Sequence, residues 1–292
     1  MNIDAHCHTD CSDGNVTIEE RIGMIKATGY QAATITDHDF ISGEQVRRAT
    51  QAAGDMPYIP GIEFTLMHKE RVVHLLGYFV EPDNPALQAH INNVQEVDRD
   101  CTQKLLSAAG KYNLEFGIND LISPSLHTFY SLQFIKRFAQ DKFDNNPASM
   151  MAAFHELCTQ TGLTYPRFAP WAVRDAIELI HQAGGIAVAA HPGGAQSLTM
   201  QELQFLIHSE QDIRDYIDWG LDGIEVSHPC HTAEEKQFYT NLAQDYGLLS
   251  TAGSDCHGDD PFLGQAMMGV FTDIPENLYD TMLACYEEKQ VV

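Results

Sequence analysis

The sequence predicts an α/β fold built around a largely parallel sheet. Short apolar runs alternate with stretches of helical periodicity in the first 80 residues and again after residue 170, which is typical of βα units. Polar residues that could bind a metal follow directly after several of these apolar runs. Such residues lie at the carboxyl ends of strands, where closed α/β barrels form their active sites. We therefore expect about seven βα units around one site.

The opening stretch is a short apolar run that ends in Asp4-Ala5-His6-Cys7-His8. We predict a strand here. Alternate side chains of a strand point to the same face, so His6 and His8 could bind one metal ion. The stretch Thr17-Ile18-Glu19-Glu20 has the form of a capping box and predicts a helix that ends near Gly29.

Each of the next predicted strands carries or meets a polar candidate ligand. We predict strands over residues 32–36, 58–64 and 72–79, with a helix over residues 44–53. The first strand runs directly into Asp37-His38-Asp39, the second carries Glu63, and the third carries His74.

The alternation is interrupted between residues 85 and 168. Helical periodicity covers residues 85–112, 131–140 and 147–158, and no strand of comparable strength occurs there. We interpret residues 85–168 as a helical insertion, or lid. The α/β body would then consist of residues 1–84 and 169–292.

The βα alternation resumes after the insertion. We predict a helix over residues 172–183, strands over residues 185–190, 223–227 and 248–252, and a last helix from about residue 275. These strands end in His191-Pro192-Gly193-Gly194, in His228, and in Gly253-Ser254-Asp255-Cys256-His257. Two more capping boxes, Thr199-Met200-Gln201-Glu202 and Thr232-Ala233-Glu234-Glu235, each predict a helix.

Composition limits the possible partners and location. The net charge of −24 argues against extended nucleic-acid binding, which needs Lys and Arg to replace phosphate counterions. A small anionic substrate remains possible if bound cations reverse the local field. We expect a cytoplasmic protein without a membrane partner, because no apolar run approaches the length of a membrane span and the N-terminus lacks the pattern of a signal peptide.

The candidate ligands fall at or just after the predicted strand ends. They are His6, His8, Asp37, His38, Glu63, His191, His228, Asp255 and His257. Imidazoles and carboxylates without a cysteine cluster suit catalytic Zn, Mn or Fe, and the set exceeds what one tetrahedral ion uses. Two or three ions are therefore implied. Glu63 could bridge neighbouring ions, and a bridging hydroxide would serve as a nucleophile.

These motifs together resemble the PHP (polymerase and histidinol phosphatase) family. They are the His-x-His opening, Ser12-Asp13-Gly14, Thr36-Asp37-His38-Asp39, Gly61-Ile62-Glu63, the strand with His74, Ala190-His191-Pro192 and Gly253-Ser254-Asp255-Cys256-His257. The resemblance covers residues 1–80 and 170–260 and is strongest to stand-alone bacterial PHP phosphoesterases. It implies a distorted seven-stranded (β/α) barrel that holds three divalent ions.

The resemblance also implies which residues bind each ion. One ion would be held by His6, His8, Glu63 and Asp255, a second by Glu63, His74 and His191, and a third by Asp13, His38 and His257. The implied mechanism is attack of a metal-bridging hydroxide, oriented by Asp255, on a phosphoester. His228 and His231 are our candidates for protonating the leaving oxygen, and Asp37 is a further one.

The insertion departs from the nucleotide phosphatases of the family. These usually carry an Arg-x-His segment and a Gly-Lys-Pro segment, where this chain has Ser131-Leu132-Gln133 and Gly162-Leu163-Thr164-Tyr165-Pro166. The Arg and Lys side chains of these two segments are therefore both missing. Lys136, Arg137 and Arg167 are the candidates that could replace them in binding a substrate phosphate.

The leading prediction is a metal-dependent phosphoesterase for a small phosphorylated metabolite, such as a nucleotide bisphosphate or a cyclic phosphate. Three alternatives stay open: a 5'-3' exoribonuclease-like enzyme for short RNA, a hydrolase of a C–N bond, and a non-catalytic metal-binding interaction module. The sequence does not identify the oligomeric state.

Overall fold

The computed structural model describes residues 1–144, 146–163, 171–193, 207–258 and 268–290. Its strands form one curled six-stranded sheet whose spatial order follows the chain. They are β1 (Ala33–Ile35), β2 (Tyr58–His68), β3 (Arg71–Tyr78), β4 (Ile186–Ala189), β5 (Gly223–Ser227) and β6 (Leu249–Ala252). The α/β class is therefore confirmed, with predicted and observed strands agreeing to within a few residues except at the longer β2 and at the opening stretch, which was predicted as a strand.

The sheet is mixed, with one strand running against the others. β1 pairs with β2 in parallel, and β4, β5 and β6 are parallel to one another, but β3 is antiparallel to both of its neighbours. Only Lys69 and Glu70 separate β2 from β3, and both have a positive φ. A connection this short can only form a hairpin, because a parallel pair needs a long crossover. The prediction of a largely parallel sheet therefore failed at β3.

The opening stretch lies between the two ends of this sheet without forming a regular strand. The backbone N–H of Ala5 donates to the carbonyl of Ala252 at 3.2 Å, and the N–H of Thr36 donates to the carbonyl of Cys7 at 2.9 Å. A single bridge pairs Cys7 with Cys256. The stretch therefore hydrogen-bonds with segments from both ends of the sheet, and this brings the first residues next to the last strand.

Helices flank the sheet and fill the long segment between β3 and β4. They are α1 (Ile18–Thr28), α2 (Gly43–Ala53), α3 (Pro85–Ala108), α4 (Tyr130–Phe143), α5 (Pro147–Thr161), α6 (Val173–Gln182), α7 (Glu210–Asp218), α8 (Ala233–Tyr246) and α9 (Leu278–Gln290). The capping boxes predicted at Thr17 and Thr232 are both formed. The one predicted at Thr199 lies outside the described residues. Within the described ranges, none of the helices combines the length and apolarity that a membrane crossing requires.

Separate apolar clusters support the sheet and the long helical segment. Ile3, Tyr78 and Ile186 pack with Leu278 and Met282 of α9. These residues lie at the strand ends opposite to the candidate ligands, so α9 covers that end of the sheet.

The helices α3, α4 and α5 bury their own cluster, which includes Leu105, Phe134, Phe138, Phe154 and Leu157. The first turns of α3 instead contribute Leu87 and Ile91 to the cluster around the sheet. The domain boundaries at residues 84/85 and 168/169 stay predictions.

Candidate metal centre

The nine side chains that the family resemblance implies as metal ligands lie in one group at the same end of the sheet. They are His6, His8, Asp13, His38, Glu63, His74, His191, Asp255 and His257. Most are buried, and the rest are half-buried. They come from the opening stretch, from β2 and β3, and from the turns that follow β1, β4 and β6.

Glu63 lies at the middle of this group. Its Oε2 atom is 3.0 Å from Nε2 of His6, 3.3 Å from Nε2 of His8 and 3.2 Å from Nδ1 of His38. Its backbone is fixed by hydrogen bonds on both sides: its N–H donates to the carbonyl of Asp37, and its carbonyl accepts from the N–H of Asp39. The carboxylate is fully buried.

The other oxygen of Glu63 faces a different pair of imidazoles. Oε1 is 2.9 Å from Nδ1 of His74 and 3.1 Å from Nε2 of His191. Those two nitrogens are themselves 3.2 Å apart. The two oxygens of one carboxylate therefore face two groups of nitrogen atoms, which is the arrangement of a carboxylate that bridges two cations.

Asp255 and Asp13 complete the arrangement from the two sides. Oδ1 of Asp255 lies 2.9 Å from Nε2 of His8 and 3.4 Å from Nε2 of His6. Oδ2 of Asp13 lies 3.2 Å from Nε2 of His257 and 3.6 Å from Nε2 of His38.

The residues present fit divalent cations. Nδ1 of His8 and Nδ1 of His38 are buried and have no hydrogen-bond partner among the described residues, a state that is rare for buried polar atoms. The ring centres of His8 and His257 are only 4.2 Å apart. Imidazole nitrogens with unused lone pairs, close to shared carboxylates, are ligands that suit Zn, Mn and Fe.

The carboxylates and imidazoles shift one another's pKa values strongly. Burial alone lowers the pKa of an imidazole, but Glu63, Glu225 and Asp255 together hold the pKa of His6 well above its ordinary value. Hydrogen bonds to Asp255 and Glu63 overcome burial in the same way and raise the pKa of His8 to about 10. A raised pKa means that the ring holds its proton more tightly, so metal binding at His6 and His8 has to displace that proton.

Three polar residues at the ends of strands adopt a left-handed backbone. Asp39, His191 and Asp255 have φ values of 49°, 26° and 52°. Such conformations cost free energy in residues other than glycine and concentrate at functional sites. Here they turn the chain sharply after β1, β4 and β6 and so direct side chains toward the centre.

The structure places Asp37, which is fully buried, against the loop between His8 and Asp13. The carboxylate accepts hydrogen bonds from the N–H and hydroxyl of Thr9, from the hydroxyl of Ser12 and from the amide of Gln45. These contacts make Asp37 an anchor for the loop that carries Asp13. Both of its oxygens are engaged by these hydrogen bonds, and its role in protonating a leaving group stays a prediction.

His228 and His231 have different surroundings. Nε2 of His228 lies 3.4 Å from Oδ2 of Asp255 and, among the described residues, has no hydrogen-bond partner. His231 instead uses both ring nitrogens on backbone groups, with Nδ1 2.9 Å from the carbonyl of Val226 and Nε2 3.1 Å from the N–H of Gly193. His228 remains a candidate for the chemistry. His231 is a loop residue, and its role as a proton donor stays a prediction.

The basic side chains predicted to bind substrate are Lys136, Arg137 and Arg167. Arg137 pairs with Asp141 at 3.3 Å, and its guanidinium lies 5.7 Å from the ring centre of Phe116. Both contacts lie within the helical segment, and the role of Arg137 in binding substrate stays a prediction. Lys136 is half-buried on the same helix, and its role stays a prediction. Arg167 lies outside the described residues.

Two residues of the site escaped the sequence analysis. Glu225, in the middle of β5, is fully buried and contacts His6. Arg21 is fully buried on α1 and donates to the carbonyls of His8 at 2.8 Å and Cys256 at 3.0 Å. In both cases the periodicity of the strand or helix predicts burial at a position that holds a charged residue. Charged residues are almost never fully buried without partners, so such a position indicates a specific contact.

The chain was compared with protein families, curated proteins and solved structures. The model of the PHP domain matches residues 4–222, which is more than half of the chain. The chain therefore belongs to the PHP domain family. The resemblance predicted from the motifs is confirmed, and with it the enzyme class, a metal-dependent phosphoesterase.

Curated relatives of this PHP chain have several names. A 3',5'-nucleoside bisphosphate phosphatase of Chromobacterium violaceum is 29% identical over 280 residues, covering 94% of this chain and 93% of the relative. A phosphoribosyl 1,2-cyclic phosphate 1,2-diphosphodiesterase of Eggerthella lenta is 27% identical, covering 87% and 94%. A 5'-3' exoribonuclease of Haemophilus influenzae is 26% identical, covering 87% and 89%.

Solved structures share the fold along almost the whole PHP chain. A proposed metal-dependent phosphoesterase from Bifidobacterium adolescentis superposes with a TM-score of 0.76 at 22% identity, covering 97% of this chain and 96% of that one. An amidohydrolase from Chromobacterium violaceum, solved with sulfate and no metal, gives a TM-score of 0.73 at 24% identity, covering 98% and 97%.

Proposed function

We propose that this PHP protein hydrolyses a phosphoester of a small metabolite, such as a nucleotide bisphosphate or a cyclic phosphate. The observation that carries the proposal is the position of Glu63, whose two oxygens face separate groups of imidazoles. Such a carboxylate serves a site with more than one cation, and phosphoryl chemistry is what sites with several cations commonly perform.

The proposed centre holds three divalent ions, of Mn, Zn or Fe. The groups His6/His8/Glu63/Asp255, Glu63/His74/His191 and Asp13/His38/His257 each contain atoms close enough to share a cation. His8 also approaches Asp13, with Nδ1 3.7 Å from Oδ1, so it lies between two of the groups. When bound, the ions would supply an activated water and neutralise charge on the phosphate.

His228 is the residue that we propose as hydrogen-bond donor to the leaving oxygen. Its Nδ1 accepts from the backbone N–H of Cys230 at 3.2 Å and lies 2.8 Å from the thiol of the same residue. Because Nδ1 is the acceptor, a neutral ring carries its proton on Nε2. That nitrogen lies beside Asp255 at the centre, where it would donate to a substrate oxygen.

The chain's charges support a small substrate. The net charge of −24 opposes binding along an extended nucleic acid, and bound cations would have to attract the phosphate. As part of the same proposal, the opening stretch serves as the seventh strand of a distorted barrel, supported by its hydrogen bonds to Ala252 and Thr36. Residues 85–168 would form a lid with a helical core of their own.

Exonucleolytic cleavage of short 5'-phosphorylated RNA is the second candidate. The observation that favours it is that the exoribonuclease of Haemophilus influenzae matches this chain almost as well as the two metabolite phosphoesterases do. A short RNA end would meet the same metal centre, so the two functions differ in the size of the substrate rather than in chemistry.

Phosphate release with Mn present tests the proposal. The substrates would be nucleotide bisphosphates, cyclic phosphates, sugar phosphates, short 5'-phosphorylated RNAs and a set of amides. We expect turnover of at least one small phosphoester, abolished in Asp255→Asn and retained in the surface variant Asp141→Asn. Preference for the RNA would establish the second candidate. Amide cleavage without phosphate release, or metal binding with no turnover at all, would overturn both.

A further inference from the structure

Glu225 is a buried carboxylate next to the metal centre that none of the proposed ligand groups includes. It lies in the middle of β5, in the segment Gly-Ile-Glu-Val-Ser, and its side chain has no solvent exposure. A carboxylate in such a place costs considerable free energy unless both of its oxygens accept hydrogen bonds. Its contacts therefore indicate what it does.

Both oxygens are engaged, each by a different segment of the chain. Oε1 lies 3.0 Å from Nδ1 of His6, in the opening stretch. Oε2 accepts a hydrogen bond of 2.7 Å from the backbone N–H of His191, in the turn after β4. One side chain from β5 thus joins two segments that carry proposed metal ligands.

We propose that Glu225 is a positioning residue for the metal centre, a role that rests on the proposed function. By accepting the Nδ1 proton of His6, it leaves Nε2 of that ring as the nitrogen that faces Glu63, 3.0 Å away. Carboxylates that hold a ligand histidine in this way fix its tautomer and orientation.

The second contact of Glu225 supports a strained turn. His191 has a φ of 26°, in the left-handed region that residues other than glycine rarely adopt. The hydrogen bond from its N–H to Glu225 helps to hold this turn, which directs Nε2 of His191 to within 3.1 Å of Glu63. Glu225 therefore orients two histidines, His6 and His191, and each of them faces a different oxygen of Glu63.

Gly253 is the residue that makes this arrangement possible. A Cβ atom at this position would lie 2.2 Å from Cβ of His6 and 2.9 Å from Oε1 of Glu225. Any other residue would clash with His6 and Glu225 unless one of them moved. The close packing leaves Glu225 little freedom to take another position.

A direct ligand role for Glu225 is the alternative that the same atoms suggest, because His6, Glu225 and His228 have ligand atoms within 4.8 Å of one another. We favour the positioning role. Both oxygens already accept from protein N–H groups, and a direct ligand would have to give up at least one of these hydrogen bonds.

The test compares variants of the full chain by metal binding rather than by activity. Glu225→Gln keeps one acceptor but turns an amide donor toward the other N–H group, and Glu225→Asp is too short to reach both partners. Val226→Ala is the control. It removes methyl groups from the neighbouring residue of the same strand, whose side chain is buried in the apolar cluster around the sheet.

Competition with a chromophoric chelator would give the number of Zn ions bound and their affinities. We expect Glu225→Gln and Glu225→Asp to keep the wild-type number of ions, with about 10- to 100-fold weaker binding of at least one of them. Val226→Ala should bind as wild type. Unchanged affinities in both Glu225 variants would overturn the inference, and loss of one whole equivalent would replace it with a direct ligand role. These outcomes do not depend on phosphoester turnover, so a failure of the proposed activity leaves them interpretable. If the wild-type chain bound no Zn, both the positioning role of Glu225 and the proposed metal centre would be overturned.

Discussion

Nε2 of His8 lies 2.9 Å from Oδ1 of Asp255, although 247 positions separate the two residues. The contact is supported by the backbone on both sides: the N–H of His8 donates to the carbonyl of Cys256 at 3.0 Å, and the N–H of Asp255 donates to the carbonyl of His6 at 2.9 Å. The candidate metal centre is complete only when the beginning of the chain has paired with the segment after β6. Metal binding and the closing of the fold are therefore coupled.

Removing either side chain of this pair should empty part of the centre. We expect His8→Ala and Asp255→Ala to bind fewer equivalents of metal than wild type and to lose at least about 100-fold in activity, because each residue is a ligand in the proposed centre. Metal content after dialysis, measured by mass spectrometry, is the readout. Asp141→Ala, which removes an acidic side chain far from the centre, should match wild type. If both variants retained three equivalents of metal, the assignment would fail.

The stability of the metal-free protein should depend on pH through the imidazoles of the centre. Neighbouring carboxylates raise the pKa of His8 from 6.5 to about 10. The folded state thus holds this proton more tightly than the unfolded chain does. The resulting stabilisation is complete below pH 6.5 and is lost as the pH rises toward 10.

Calorimetry in EDTA should therefore show the melting temperature falling by about 5 °C or more between pH 6.5 and 9. With Zn bound, the imidazoles are neutral ligands and bind the ions better as protons become scarce, so the decline should be smaller or reversed. A melting temperature of the metal-free protein that rises over the same range would contradict this reading of the carboxylate–imidazole contacts.

His228 and His231 are three residues apart, but their substitution by alanine should have different effects. We expect His228→Ala to lower kcat by about 10²- to 10⁴-fold while keeping the bound metal, because it removes the proposed donor to the leaving oxygen. His231→Ala should lose about 1–3 kcal/mol of stability, because the carbonyl of Val226 and the N–H of Gly193 lose their partner. Steady-state kinetics and urea unfolding measure the two effects. Equal losses of kcat in both variants would remove the distinction.

Arg21 should prove more important for folding than its place on a surface helix suggests. It is fully buried and binds the carbonyls of His8 and Cys256, the two backbone segments next to the His8–Asp255 contact. We expect Arg21→Met to lose about 2–4 kcal/mol in urea unfolding, because two buried carbonyls lose their donors. The control Arg47→Met removes an exposed arginine that pairs with Glu44 on α2, and it should change stability by less than about 1 kcal/mol. Similar values for the two variants would show that the buried contacts contribute little.

The sequence by itself determined the class of fold, the family and most of the residues that meet at the centre. The pattern of an apolar run followed by a histidine or a carboxylate is local, and it predicts that residues such as His191 and Asp255 follow the carboxyl ends of strands, which in an α/β fold lie close together. The capping boxes at Thr17 and Thr232 were predictable for the same reason, since their partners lie three residues away.

Only the tertiary structure decided what those residues contact. The loop contacts of Asp37, the contact of His231 with Gly193, and the buried positions of Glu225 and Arg21 all depend on partners from other parts of the chain. The reversed direction of β3 follows instead from the two-residue connection to β2, which became clear only when the structure extended β2 to His68. A buried charge is stable only where such partners supply its hydrogen bonds. Local patterns carry no information about which distant groups will be there. The candidate ligands could therefore be predicted from the sequence, but the buried residues that contact them could not.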